Sequence, residues 1–176
     1  MRYTFLLLFL ITLVQSEASA QELRGSLPAA IRSALDDKLP GWAFAEVGDD
    51  IRRFLRERVS PEARPEIIRG DFDGNGRLDY ALLITHGQIL NSGGEAIGRK
   101  VYIAAFLKRG RGYKLHLLSE GGDYLALGKK GTYGYDFHAE RKLKYMHDVI
   151  ESGHFEKTGW AYIYKGGKFR YVYTAD

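Results

Sequence analysis

The residues that speak most directly of chemistry are the run Gly70-Asp71-Phe72-Asp73-Gly74-Asn75-Gly76-Arg77-Leu78-Asp79, followed at once by the apolar stretch Tyr80-Ala81-Leu82-Leu83-Ile84. Counting Asp71 as position 1, side-chain oxygens fall at positions 1, 3, 5 and 9, on Asp71, Asp73, Asn75 and Asp79, with glycine at position 6. This spacing suits calcium, a hard cation that takes roughly six to eight oxygens; ligands at alternate residues of a tight loop wrap one point while glycine permits the reversal. Asp71, Asp73, Asn75 and Asp79 supply side-chain oxygens in this reading, Arg77 supplies its backbone carbonyl, and water completes the shell.

A metal-free alternative exists, because Asp73-Gly74 and Asn75-Gly76 are each strong signals for a two-residue type I′ hairpin turn. Such a turn gives no reason for carboxylates at positions 1 and 9, where three negative groups repel one another without a cation between them. An EF-hand closes the same spacing with a bidentate glutamate at position 12, but that position is Leu82 and a strand is expected to follow. Gly-Asp-Phe-Asp-Gly-Asn-Gly-Arg-Leu-Asp-Tyr-Ala resembles the calcium loop of an FG-GAP repeat, also called the integrin-alpha or VCBS type. In that family a metal loop joins two strands, and repeats stack as propeller blades. This chain carries a single copy over about fifteen residues, so the resemblance implies a local strand-loop-strand metal site and no propeller. Without a bidentate glutamate, the affinity expected is that of weak extracellular modules, about 0.1 to 1 mM.

Other chemistry-bearing residues form no recognised pattern. His138, His147 and His154 fall on separate predicted strands or turns, and His86 and His116 sit among residues alternating toward solvent; surface or hydrogen-bonded roles are expected for all five. Glu120, Asp123, Asp136, Asp148 and Glu151 include no pair whose separation the sequence fixes. A Gly-x-Ser-x-Gly elbow, a phosphate loop and a dinucleotide fingerprint are all missing.

The elements that must hold the loop follow from periodicity. Leu27-Pro28 with Ile31, Ala34, Leu35 and Leu39 predicts a short amphipathic helix, stopped by Pro40-Gly41. Trp42, Phe44 and Val47 suggest a brief strand. Asp49 and Asp50 offer cap oxygens to a second helix whose buried stripe is Ile51, Phe54 and Leu55, with four arginines facing water. Residues 60–65 read as a loop. From Glu66 the period becomes two, predicting strands over 66–69, 80–86, 100–108, 113–119, 132–138, 142–150, 155–165 and 168–174. Gly110-Arg111-Gly112 and Gly166-Gly167 read as hairpin connections. The fold class expected is α+β: two short N-terminal helices covering one face of a C-terminal antiparallel β-meander, with a barrel-like curl of the sheet as the alternative to an open one. A two-residue turn at Gly166-Gly167 sets Tyr164 opposite Phe169, Tyr162 opposite Tyr171 and Trp160 opposite Tyr173. This aromatic ladder fits either the wall of a core or a platform for sugar rings or an extended peptide.

The chain begins with the three parts of a signal peptide: Arg2, the apolar run Phe5 to Val14, and Ala18-Ser19-Ala20 before Gln21. The expectation is a signal over 1–20 and one globular domain over 21–176, with an uncleaved interfacial helix as the alternative. The apolar run is about half the length that spans a membrane, so no membrane anchor is expected in the mature form. With no cysteine there is neither a lipidated N-terminus nor a disulfide framework, which suits a bacterial envelope. The formal net charge is +4 and the basic residues are scattered. They favour solvated faces, no nucleic-acid partner, and weak attraction to anionic envelope polymers.

These readings converge on a periplasmic or secreted protein, non-enzymatic, whose structural calcium loop supports a domain that binds an envelope polymer or another secreted protein. The alternatives are an envelope hydrolase using carboxylates or histidines, and a calcium-responsive structural protein.

Overall fold

A computed structural model describes residues 21–175; the expected signal segment lies outside them. The apolar run after the acidic loop opens the central strand of the molecule. Strands β1 (Ala43–Phe44), β2 (Ile67–Gly70), β3 (Asp79–Leu90), β4 (Ala96–Arg109) and β5 (Gly112–Glu120) form one sheet in the order β1-β3-β4-β5, with β2 also paired to β3. A second sheet runs β11-β10-β9-β6, from β6 (Tyr124–Gly128), β9 (Val149–His154), β10 (Thr158–Lys165) and β11 (Lys168–Ala175). Between β6 and β9 the chain makes a separate two-stranded ribbon, β7 (Tyr133–Asp136) with β8 (Arg141–Lys144). All these pairings are antiparallel.

Alternation along β3 and β4 assigns the layers. Tyr80, Leu82 and Ile84, with Ala104 and Phe106, face helix α1 (Ala29–Lys38) through Ile31 and Leu35. Ala81 and Leu83, with Ile103, Ala105 and Leu107, face the second sheet through Leu125, Ile150, Trp160 and Tyr162. A strand covered on both faces needs apolar residues at consecutive positions, which accounts for the uninterrupted run from Tyr80 to Ile84.

Several expectations need correction. Helix α2 (Asp49–Arg58) sends Ile51 and Leu55 into the core between the sheets, so the two helices lie on opposite faces of the first sheet instead of sharing one. Phe54 is 42% exposed and meets only the rim, edge-on to Phe155 at 5.2 Å. Asp49 and Asp50 lie in the first turn of α2, after an N-cap at Gly48 with no side-chain cap; their charges still meet the positive end of the helix dipole. The two sheets stay separate and close no barrel among the described residues. The strand expected over 142–150 breaks at residues 145–148, because Tyr145 turns into the interior, 2% exposed, and its amide bonds Thr132 O at 3.0 Å. The strand expected from Phe155 begins at Thr158, after a turn in which Lys157 N bonds His154 O. β6 has no counterpart among the expected strands.

The last hairpin keeps its expected register, Trp160 to Tyr173, Tyr162 to Tyr171 and Tyr164 to Phe169. Its β10 side is core, with Trp160 7% and Tyr162 4% exposed, whereas Tyr171 on β11 is 52% exposed. The ladder is therefore a core wall along β10 and partly covered along β11, where Phe169 packs against the core and Tyr171 is exposed.

Candidate metal centre

β2 and β3 pair antiparallel and end at Gly70 opposite Asp79. The eight residues 71–78 connect them, far more than a two-residue type I′ turn, so the tight-hairpin alternative fails. Gly74 and Gly76 take φ of +74° and +76°, left-handed conformations that a side chain resists. These two reversals fold the loop inward. Asn75 N donates to Asp73 Oδ1 at 3.2 Å, Arg77 N to Asn75 Oδ1 at 2.8 Å, and Gly76 N to Asp71 Oδ2 at 2.9 Å.

The structure brings together three of the expected ligands. One carboxylate oxygen from each of Asp71, Asp73 and Asp79 lies within 4.8 Å of the others. Asp79 is fully buried; its Oδ2 accepts Phe72 N at 2.9 Å and its Oδ1 accepts Lys108 N at 2.7 Å. Burial pushes its pKa up to about 6, with Asp73 and Asp71 adding repulsion against the two amide bonds that favour the charge. Asp71 Oδ1 is buried without a hydrogen-bond partner. Asn75 Oδ1 holds the Arg77 amide and keeps a second lone pair.

One further participant, Arg109 at the end of β4, has no local signature in the amino-acid pattern. Its guanidinium forms an ion pair with Asp73 and reaches Tyr164 Oη at 3.5 Å. A cation beside the acidic loop partly offsets the repulsion there. Next to it His116 packs edge-on against Tyr164 and Phe169, and burial, with Lys114 and Arg109 nearby, pushes its imidazole below its ordinary pKa. It is thus half-buried in an aromatic cluster instead of turned to solvent.

The Glu120 side chain lies outside the described residues, and the other acidic candidates have local tasks. Asp148 accepts Asp71 N and Lys130 N, both at 3.0 Å; Asp136 accepts Ala139 N; Asp123 accepts Phe155 N and meets His154 Nδ1 at 3.2 Å; Glu151 accepts Tyr145 Oη at 2.9 Å. His147 lies against the loop at Gly74, and its Nδ1 is 3.1 Å from Asp148 O. Among the described residues, Asp71, Asp73 and Asp79 form the one group of three or more carboxylates or histidines close enough to share an ion. A cavity of about 1150 Å³ lies elsewhere, between α2, the 60–65 loop, β2 and β6. Its buried carboxylate, Glu66, is paired with Arg52.

No protein-family model, curated protein or solved structure matches this chain. No helix among the described residues is long and apolar enough to cross a membrane.

Proposed function

We propose that the chain is a non-enzymatic binding domain of the cell envelope, exported by its N-terminal segment, and that its acidic loop is a structural calcium site. The observation that carries the calcium reading is the convergence of Asp71, Asp73 and Asp79 on one point, with a buried Asp71 oxygen unpartnered. Asn75 and the Arg77 carbonyl complete the protein ligand set, and water supplies the rest. The ion offsets the burial and the repulsion from Asp73 and Asp71 that together raise Asp79, and it ties β2 to β3 at the loop they share. A weak site of this kind stays largely empty at cytosolic calcium and fills in a millimolar environment, which accords with export.

Binding to the folded state alone stabilises by mass action: calcium at ten times its dissociation constant contributes about 1.4 kcal/mol. For a chain of this size that corresponds to a rise in melting temperature of roughly 3 to 6 °C. Thermal melts with and without 5 mM calcium test this, using ~0.5 mM as the expected affinity. The wild type should gain that increment and Asp73→Ala should gain none. An unchanged wild-type melting temperature at several millimolar calcium overturns the site.

A further inference from the structure

The ribbon β7–β8 is mounted on the outer face of the second sheet by one side and left bare on the other. Its inward residues are Gly134 and Leu143, paired across the ribbon. Leu143 joins the small core of Tyr145, Val149 and Ala161. Gly134 sits so close to the Tyr145 hydroxyl that a Cβ there would collide with it. At the ribbon's tip, Phe137 N donates to Tyr173 O at 3.1 Å. The seat is thus built by the inward side, and Tyr133, Tyr135, Lys142 and Lys144 on the other side are exposed.

A solvent-facing side needs only polar residues, yet this one alternates aromatics with cations. Tyr133 faces Lys144 and Tyr135 faces Lys142 in direct cross-strand register. Tyr133 is 63% exposed, Tyr135 39% and Phe137 42%. Tyr135 and Phe137 meet at 4.9 Å, and Phe137 reaches Tyr173 at 6.0 Å, extending the row onto β11. Lys144 Nζ lies 5.9 Å from the centre of the Tyr133 ring. Arg141, Lys142 and Lys144 enter none of the ion pairs found among the described residues.

We infer that this face of the ribbon, Tyr133, Tyr135 and Phe137 with Lys142 and Lys144, binds an acidic polysaccharide chain bearing uronate rings. Aromatic faces take the C–H faces of sugar rings, and ammonium groups beside them take the carboxylates. A glycan is favoured over single-stranded nucleic acid because the chain is read as an exported envelope domain, where Lys142 and Lys144 beside exposed rings complement the carboxylates of an anionic sugar polymer. The inference rests on reading the chain as a binding domain, and it names that domain's surface and partner.

Sodium hyaluronate serves as the probe because it is a soluble polyuronate that calcium does not gel. Affinity electrophoresis of the purified chain should show retardation by hyaluronate that weakens with salt, and little retardation by dextran. Tyr135→Ala should weaken binding at least fivefold and Lys142→Glu at least tenfold, while Lys38→Glu, on α1, leaves it unchanged. Far-ultraviolet circular dichroism checks that each variant is folded. No retardation of the folded wild type overturns the inference, as does equal retardation of wild type and Lys142→Glu, or tighter binding of oligo(dT) than of hyaluronate. A lower melting temperature for Tyr135→Ala with hyaluronate binding intact would assign the aromatics to ribbon stability and also overturn it. Loss of hyaluronate binding with the calcium increment preserved removes this surface alone; loss of the calcium increment with hyaluronate binding preserved removes the metal reading alone.

Discussion

Glu151 shows how a single buried carboxyl couples this fold to pH. Its Oε1 accepts the Tyr145 hydroxyl at 2.9 Å, which favours the ionised form, but burial outweighs that bond and raises its pKa above the ordinary 4.5. The same surroundings push Tyr145 far above the usual phenol range. Because the folded state holds the Glu151 proton to higher pH than the unfolded chain does, this group's contribution to stability rises as pH falls from 7 through the raised value toward 4.5. Glu151→Gln keeps an oxygen for Tyr145 and removes the charge. Urea unfolding should show the variant more stable than wild type at pH 7, with the difference closing near pH 4.5. A constant difference across that range would mean that the titrating group lies elsewhere. The sequence exposes little of this residue's role. Tyr145 looks like a member of a continuous strand over 142–150 that stops one residue short of Glu151, until the break at 145–148 turns the tyrosine inward. The acidic loop is different: Asp71, Asp73 and Asp79 converge through local geometry, so their spacing alone reveals them. Arg109 and the Lys108 amide reach the loop across about thirty residues, and no local pattern announces them.

At the scale of elements, α2 separates apparent from real burial. Helical spacing places Ile51, Phe54 and Leu55 on one stripe, and that much is legible. Which edge of the stripe meets the core depends on where the helix sits between the sheets, a tertiary matter. Leu55 is 2% exposed in the intersheet core, whereas Phe54 contributes one edge-on contact with Phe155. Leu55→Ala should therefore cost about 2 to 5 kcal/mol. Phe54→Ala should cost about 1 kcal/mol, the worth of an aromatic pair at the rim. Denaturant titration of both variants measures the contrast, and equal losses would mean that Phe54 is part of the core. The same dependence on neighbours explains β6: Tyr124 to Gly128 is a short run whose strand character comes from pairing with β9, a partner more than twenty residues away. The hairpin at Gly166-Gly167 was readable to the residue because turn length fixes register locally.

Over the whole molecule, Asp148 is the point where the parts meet. Its carboxylate accepts the amide of Asp71, at the root of the acidic loop on the first sheet, and the amide of Lys130, in the connection between β6 on the second sheet and β7 of the ribbon. Asp148 N returns a bond to Asp71 O at 3.2 Å. One side chain thus links the candidate metal loop, the second sheet and the ribbon. Asp148→Ala removes two hydrogen bonds to a charged acceptor, which should cost about 2 to 4 kcal/mol. It should also loosen the loop root, so that the variant gains less from 5 mM calcium than the wild type does. Melting curves of both proteins with and without calcium separate the two effects. A variant that is less stable yet keeps the full calcium increment would show that the loop organises its ligands on its own, with Asp148 joining sheets and nothing more. A reduced increment would show that the ion's stabilisation is shared across the sheets through this contact, so that filling the loop also firms the seat of the ribbon.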